Sequence, residues 1–127
     1  MPRHEIRVRY GECDLQSVVF NAHYFAYIDD AFDTWTRTAL AGGFESLGLD
    51  VMVKHAELTW HSAATIGDTI DLDVAVSRWG TSSLDVSTSG TVAGRALFDS
   101  VLTYVMVHLH TTTPVAIPDE VRHLFSS

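Results

Sequence analysis

From Val51 to His110 the sequence is written almost wholly in the two-residue period of β-strands, and only one stretch ahead of it carries the longer period of a helix. In "GDTIDLDVAVSRW" Ile70, Leu72, Val74 and Val76 fall on one side, and Thr69, Asp71, Asp73 and Ser77 on the other. That alternation predicts a strand with one face in a core. "VMVKHAELTWH" reads as the strand before it, "SSLDVSTSGTV" continues the pattern after "WGTS", and a turn at "AGR" leads into "ALFDSVLTYVMVHLH". The last of these is apolar at both parities from Val101 to Val107, which predicts an inner strand covered on both faces. The helical stretch places Tyr24, Ile28, Ala31, Trp35 and Ala39 at steps of four, three, four and four, with Asp29, Asp33 and Arg37 opposite. This is an amphipathic helix of about five turns, with Asn21 as its expected N-cap and Gly42 and Gly43 ending it.

A short first strand comes before the helix, with His4, Ile6, Val8 and Tyr10 on one side and Arg3, Glu5, Arg7 and Arg9 on the other. A turn or two of helix is expected from Pro118 or Asp119. These elements define an α+β fold in two layers, one long helix wrapped by a curved, mainly antiparallel five-stranded sheet. The chain has 127 residues, 46% hydrophobic and 19% charged, enough for one core and one domain over residues 1–127. The helix covers one face of the sheet, and a second copy of the chain would cover the other, so a homodimer is expected, with a tetramer as the next larger assembly.

A net charge of −8 and a pI near 5.1 argue against nucleic acid and membrane surfaces as partners, since both are anionic. An anionic ligand must therefore be met by local groups. No stretch reads as a signal peptide or a membrane span, and one cysteine, Cys13, cannot form an internal disulfide. The expected location is the cytoplasm.

Chemistry concentrates in "YGECDLQSVVFNAHYFAYIDDAF", residues 10–32. By base rate an aspartate in such a loop is a turn or capping residue. Asp14, however, lies just ahead of a helix start, whose unpaired N–H groups form a ready site for a developing oxyanion. The "VVF" that follows would desolvate the carboxylate and make it a better base. A carboxylate beside an oxyanion hole is the minimum equipment for acyl transfer. Thioester cleavage suits it, because a thiolate leaves without a strong general acid.

Competing chemistries are poorly supplied. There is no G-x-S-x-G elbow and no phosphate-binding G-x-x-x-x-G-K. His108 and His110 lack a third ligand at metal-site spacing, so neither a metal nor a cofactor is expected. Cys13 sits between two carboxylates, a poor place for a thiolate, and reads as a small buried residue. Glu12 reads as solvated. His55 and His61 share a face with Glu57 and are candidates for pocket lining. The helix aromatics read as core, with one edge available to bound an acyl or aryl pocket.

The same stretch resembles the opening motif of the 4-hydroxybenzoyl-CoA thioesterase family of hotdog-fold proteins. That motif runs as an aromatic, G-[DE]-[CTV]-D, a glycine-containing turn, V-[VF]-[YFW], then N-Y or H-Y in the helix. The resemblance implies a hotdog fold and an acyl-CoA thioesterase that releases a free acid and CoA, with acyl-carrier protein as a second candidate carrier. Asp14 matches the general base or nucleophile, and Asn21 the residue whose backbone N–H polarises the thioester carbonyl. His23 and Tyr24 match the pair that follows, His23 contributing a backbone N–H or pocket wall. Tyr24, Asp29, His61 and Arg78 are the candidate substrate-binding residues, Asp29 matching a position that meets the polar end of an aryl group although the helical wheel turns it outward. "GDTIDLDVAV" resembles the family's third strand and "VAIPDEVR" its ending. The chain departs from the family at Ser17, where the turn usually has glycine, and at Gly80, Thr81 and Ser82, where basic residues usually hold the CoA phosphates. Arg78 is the basic residue left there, with Lys54 another candidate. A hydratase of the same fold is disfavoured, since Val19 occupies the position where such enzymes carry histidine. The alternative of a different class is a non-catalytic acyl-CoA or acyl-carrier-protein binding module.

Overall fold

The structure is a computed structural model and describes residues 3–126. Strand β1 spans Arg3–Arg7 and helix α1 His23–Ala39; β2 (Leu49–Trp60), β3 (Thr69–Trp79), β4 (Ser83–Val92) and β5 (Arg95–His108) follow, and a short α2 (Asp119–Leu124) closes the chain. The strands form one five-stranded sheet in the order β1-β3-β4-β5-β2, every neighbouring pair antiparallel. Hairpins connect β3 to β4 and β4 to β5, the local pairing that alternating runs joined by short turns dictate.

Helix α1 buries Tyr24, Tyr27, Ile28, Ala31, Phe32 and Thr36 against the sheet. Ile70, Leu72, Val74, Leu84, Val86, Phe98, Leu102, Tyr104 and Met106 face it from β3, β4 and β5 and are buried. The buried stripe is wider than the single row predicted, because a helix lying on a sheet uses two adjacent rows. Trp35 and Ala39, expected in the apolar stripe, are half-buried at its margin, where Trp35 meets Phe125 of the tail edge-on at 4.8 Å. At Gly90 the ring of Phe98 lies directly on the backbone, and a Cβ there would stand 2.4 Å from Phe98 Cε1.

Several expectations are corrected at element ends. Strand β1 stops at Arg7, and Tyr10, expected inward, is 83% exposed because the chain turns into a short 3-10 helix at Tyr10–Glu12. The N-cap of α1 is Ala22, not Asn21; Asn21 lies one residue earlier and its Oδ1 accepts the Ala22 N–H at 3.1 Å. α2 begins at Asp119, one of the two starts expected, with Pro118 as its N-cap.

The second face of the sheet also differs from its expectation. Val101, Thr103 and Val105 of β5 point there and are half-buried, but their cross-strand neighbours are Ser87, Asp85 and Ser83 on β4 and Glu57, His55 and Met52 on β2. Met52 excepted, the β5 run is thus flanked by polar side chains, and the middle of that face is a polar dish. The unpartnered apolar surface lies instead along β2, an edge strand of 12 residues with Met52, Val53 and Trp60 exposed. An edge so long and apolar is a template for another chain.

Candidate active site

Residues 12–20 fold into a small hairpin that carries Asp14. Cys13 bridges Val19, Asp14 N–H donates to Val18 O at 2.9 Å, and Phe20 N–H donates to Glu12 O at 3.0 Å. The tip closes through Ser17 N–H to Asp14 O at 3.0 Å, with Ser17 at φ +65°. Ser17 therefore adopts the left-handed conformation that glycine reaches without steric cost, at a penalty of about 1 kcal/mol or somewhat more for a residue with a Cβ. The missing glycine changes the energy of the turn and leaves its path intact. The hairpin is anchored to the segment before β3, where Val19 N–H donates to Ala64 O at 2.9 Å and Val18 bridges Thr65.

Asp14 is half-buried, and its Oδ1 accepts the Gln16 N–H at 2.8 Å. The turn role that base rates favour is thus present. It occupies one carboxylate oxygen, and among the described residues Oδ2 has no hydrogen-bond partner. The carboxylate borders an open cleft of about 820 Å³ whose walls include Val18, Phe20, Asn21, Tyr24, Trp60 and His61. Its other side borders a depression of about 570 Å³ with Tyr10, Leu15 and Ile66.

The N-terminus of α1 opens on this cleft without a side-chain cap. The His23 N–H is given to Phe20 O at 2.8 Å and the Phe25 N–H to Ala22 O at 3.3 Å. Among the described residues the N–H groups of Asn21 and Tyr24 have no acceptor, which makes them the available donors for an oxyanion. His23, the other predicted donor, has its N–H engaged, and its imidazole lies 3.3 Å from Glu12 Oε2.

Tyr24 is buried beside the cleft, its hydroxyl accepting the Ala64 N–H at 3.1 Å and its ring meeting Trp60 and Phe98 edge-on. Burial pushes its phenol pKa up, partly countered by the Ala64 N–H and the charge of Arg95. His61 stands on the cleft wall with its Nε2 2.8 Å from Asp99 Oδ2. The structure therefore brings Asp14, Asn21, Tyr24 and His61 to one opening.

Two predicted binding residues lie elsewhere in this chain. Asp29 is exposed as the helical wheel required, and its Oδ1 accepts the Tyr104 hydroxyl at 3.2 Å beside a separate depression of about 130 Å³. Arg78 is held by Asp85, with contacts of 2.9 and 3.2 Å, near the far end of β3. Neither Arg78 nor Asp85 is among the residues that line the cleft. His55 pairs with Glu57 at 3.1 Å on the polar face of β2, apart from the residues lining the cleft. Among the described residues no three His, Cys, Asp or Glu side chains gather at metal-binding distance.

Glu12 is the residue that pattern reading missed. Expected in solvent, it is 7% exposed. Its Oε1 accepts the Arg9 N–H at 2.8 Å and the Tyr27 hydroxyl at 2.9 Å, and its Oε2 accepts Arg9 Nη2 at 2.9 Å. Burial by itself would raise its pKa. The Arg9 N–H, the Arg9 guanidinium and the Tyr27 hydroxyl outweigh that and hold the carboxyl at about 2, against 4.5 for a free glutamate. Tyr27 is pushed up in turn by burial and by its hydrogen bond to Glu12. Glu12 is thus an ionised tie between the Asp14 hairpin and the first turns of α1, through His23 and Tyr27. Only the i,i+4 pair on the helix and the Arg-x-x-Glu spacing hint at it in sequence.

The sequence profile of the thioesterase-like superfamily matches residues 8–125, and the chain belongs to that superfamily. The fold is the hotdog fold. A hypothetical protein from Aquifex aeolicus superposes with a TM-score of 0.91 at 20% identity, over 99% of this chain and 100% of its own. A 1,4-dihydroxy-2-naphthoyl-CoA thioesterase from Synechocystis superposes with a TM-score of 0.84 at 15% identity, over 97% of this chain and 93% of its own. A hypothetical protein from Staphylococcus aureus in complex with CoA gives 0.84 at 16% identity, over 97% of this chain and 82% of its own. No curated protein matches the sequence. No helix among the described residues is long and apolar enough to cross a membrane.

Proposed function

We propose that the protein hydrolyses an acyl-CoA or aryl-CoA thioester to the free acid and CoA. The observation that carries this reading is the shared cleft, which holds a half-buried carboxylate with one oxygen unpartnered and the free N–H groups of Asn21 and Tyr24 at the start of α1. With the thioester carbonyl on those N–H groups, Asp14 either takes a proton from a water that attacks the carbonyl carbon, or attacks that carbon itself to form a mixed anhydride that water then cleaves; the thiolate departs in both cases. The helix end stabilises charge that appears only in the transition state, which is the condition for raising kcat. Tyr24, Trp60 and His61 bound the acyl side of the cleft. A second copy paired along the β2 edge would cover Met52, Val53 and Trp60 and narrow an otherwise open cleft, so the active form is a homodimer or a tetramer built from it. The carrier is CoA, with acyl-carrier protein the second candidate.

The hydrogen bond from Gln16 to Asp14 favours one other reading, a binding module in which Asp14 only shapes the turn. Thiol release from short, long and aryl acyl-CoA thioesters separates the two, with wild type and Asp14→Asn run side by side. Hydrolysis predicts turnover in the wild type and a fall in kcat of about 10²-fold or more in the variant, the scale of acid–base groups. Equal turnover in both removes Asp14 from the mechanism. Binding of acyl-CoA with no release from the wild type establishes the module.

A further inference from the structure

We propose that Arg95 is the anion-binding group at the mouth of the Asp14 cleft and takes a phosphate of the thioester's CoA carrier, an inference that rests on the thioesterase reading. The chain carries eight lysines and arginines against sixteen carboxylates, so an anionic carrier meets an unfavourable overall field and needs a committed local cation. Most of the cations are engaged elsewhere. Arg3 pairs with Asp73, Arg9 with Glu12, Arg37 with Asp33 and Glu45, and Arg78 with Asp85. Arg122 is bound to the carbonyls of Ile117, Gly80 and Thr81. Among the described residues, Arg95 alone of these cations is hydrogen-bonded to residues that line the cleft. Its Nη1 donates to Ser62 Oγ at 2.6 Å and to Ala63 O at 3.2 Å.

Those two bonds orient the guanidinium without neutralising it. A guanidinium has five N–H donors. The two on Nη1 are engaged, while Nε and Nη2, the edge that grips a phosphate with two parallel hydrogen bonds, have no partner among the described residues. No carboxylate there pairs with it either, and the nearby Asp99 is taken by His61. Its base is fixed as well. Val92 and Arg95 face each other across a two-residue hairpin turn whose central residues, Ala93 and Gly94, have φ of +50° and +79°. Ser62 Oγ in turn donates to Ala96 O at 2.6 Å, closing the connection between turn and cleft wall.

A simple staple between turn and cleft wall would use the same two hydrogen bonds, so the test compares substrates with and without phosphate. KM and kcat are measured for one acyl group on CoA, on 4′-phosphopantetheine and on N-acetylcysteamine, for wild type and Arg95→Gln, with the thermal midpoint of each protein. The proposal predicts that the substitution raises KM for acyl-CoA about tenfold more than for the N-acetylcysteamine thioester, with the excess shrinking at high salt. An excess shared by acyl-phosphopantetheine assigns Arg95 to the phosphate next to the pantetheine arm, and an excess confined to acyl-CoA assigns it to the nucleotide end. The same factor on all three substrates, no change included, overturns it in favour of the staple. If the wild type hydrolyses none of them, the thioesterase reading fails by itself. Calorimetric binding of CoA then decides Arg95: weaker binding to Arg95→Gln supports the anion site, and equal binding overturns it.

Discussion

Replacing Glu12 by glutamine tests whether an ionised carboxylate ties the Asp14 hairpin to α1. The carboxyl is held at about 2 in the folded chain against 4.5 when free, a difference of 2.5 units, or about 3 kcal/mol at 1.36 kcal/mol per unit. Arg9 is 81% exposed, so solvent screens its share and about 2 kcal/mol is the better expectation. Because the folded pKa lies below the unfolded one, the stabilisation is complete above about pH 4.5 and is lost as the pH falls toward 2. Urea unfolding of wild type and Glu12→Gln should therefore show a gap of about 2 kcal/mol at pH 7 and pH 5, falling to less than half by pH 3. Asp85, which its hydrogen bond from Arg78 holds below its usual pKa, loses stabilisation in both proteins and cancels in the difference. An equal gap at pH 7 and pH 3 would show that Glu12 acts through shape alone and refute the ionic tie.

Substitutions at three further positions probe the frame around the site. Gly90→Ala places a Cβ 2.4 Å from Phe98 Cε1, and since Phe98 is pinned by Tyr24 the domain should lose about 2–3 kcal/mol; an unchanged thermal midpoint would mean the ring moves freely. At Ser17, with φ +65°, glycine should stay within about 1 kcal/mol of wild type, because relief of strain offsets unfolded-state entropy, while valine should cost about 2 kcal/mol. A valine variant as stable as wild type would place Ser17 outside the left-handed region. Thr88 Oγ1 is buried without a hydrogen-bond partner among the described residues, so Thr88→Val should be neutral or stabilising by about 1 kcal/mol. A loss above about 1 kcal/mol, read from urea unfolding, would reveal a partner for that hydroxyl.

The sheet and its helix were legible because burial imposes a period, and a period survives in the sequence. The β3 alternation of Ile70, Leu72 and Val74 is the pattern the core requires. The same reading overreached at β5, where periodicity reports one strand and burial depends on its neighbours. Val101 and Val105 look like core in their own row, but Ser87 and Glu57 beside Val101 make that face polar.

The candidate site obeys a different logic, because it lies in a hairpin where no period operates. Asp14 was legible only through the order of loop, apolar residues and helix start, which places a carboxylate near unpaired N–H groups whatever the turn does in detail. Glu12 and Ser17 were not legible, for opposite reasons. Glu12 depends on partners at positions 9, 23 and 27, brought together only when the helix docks. Ser17 depends on a backbone angle that its side chain disfavours and that the flanking pairings, Cys13 to Val19 and Val18 to Thr65, impose on it. Both sit within three residues of Asp14. The hairpin is thus held by tertiary bonds against its local preference, and the position of the Asp14 carboxylate depends on the docking of α1. A substitution that loosens that docking should therefore lower turnover before it unfolds the domain.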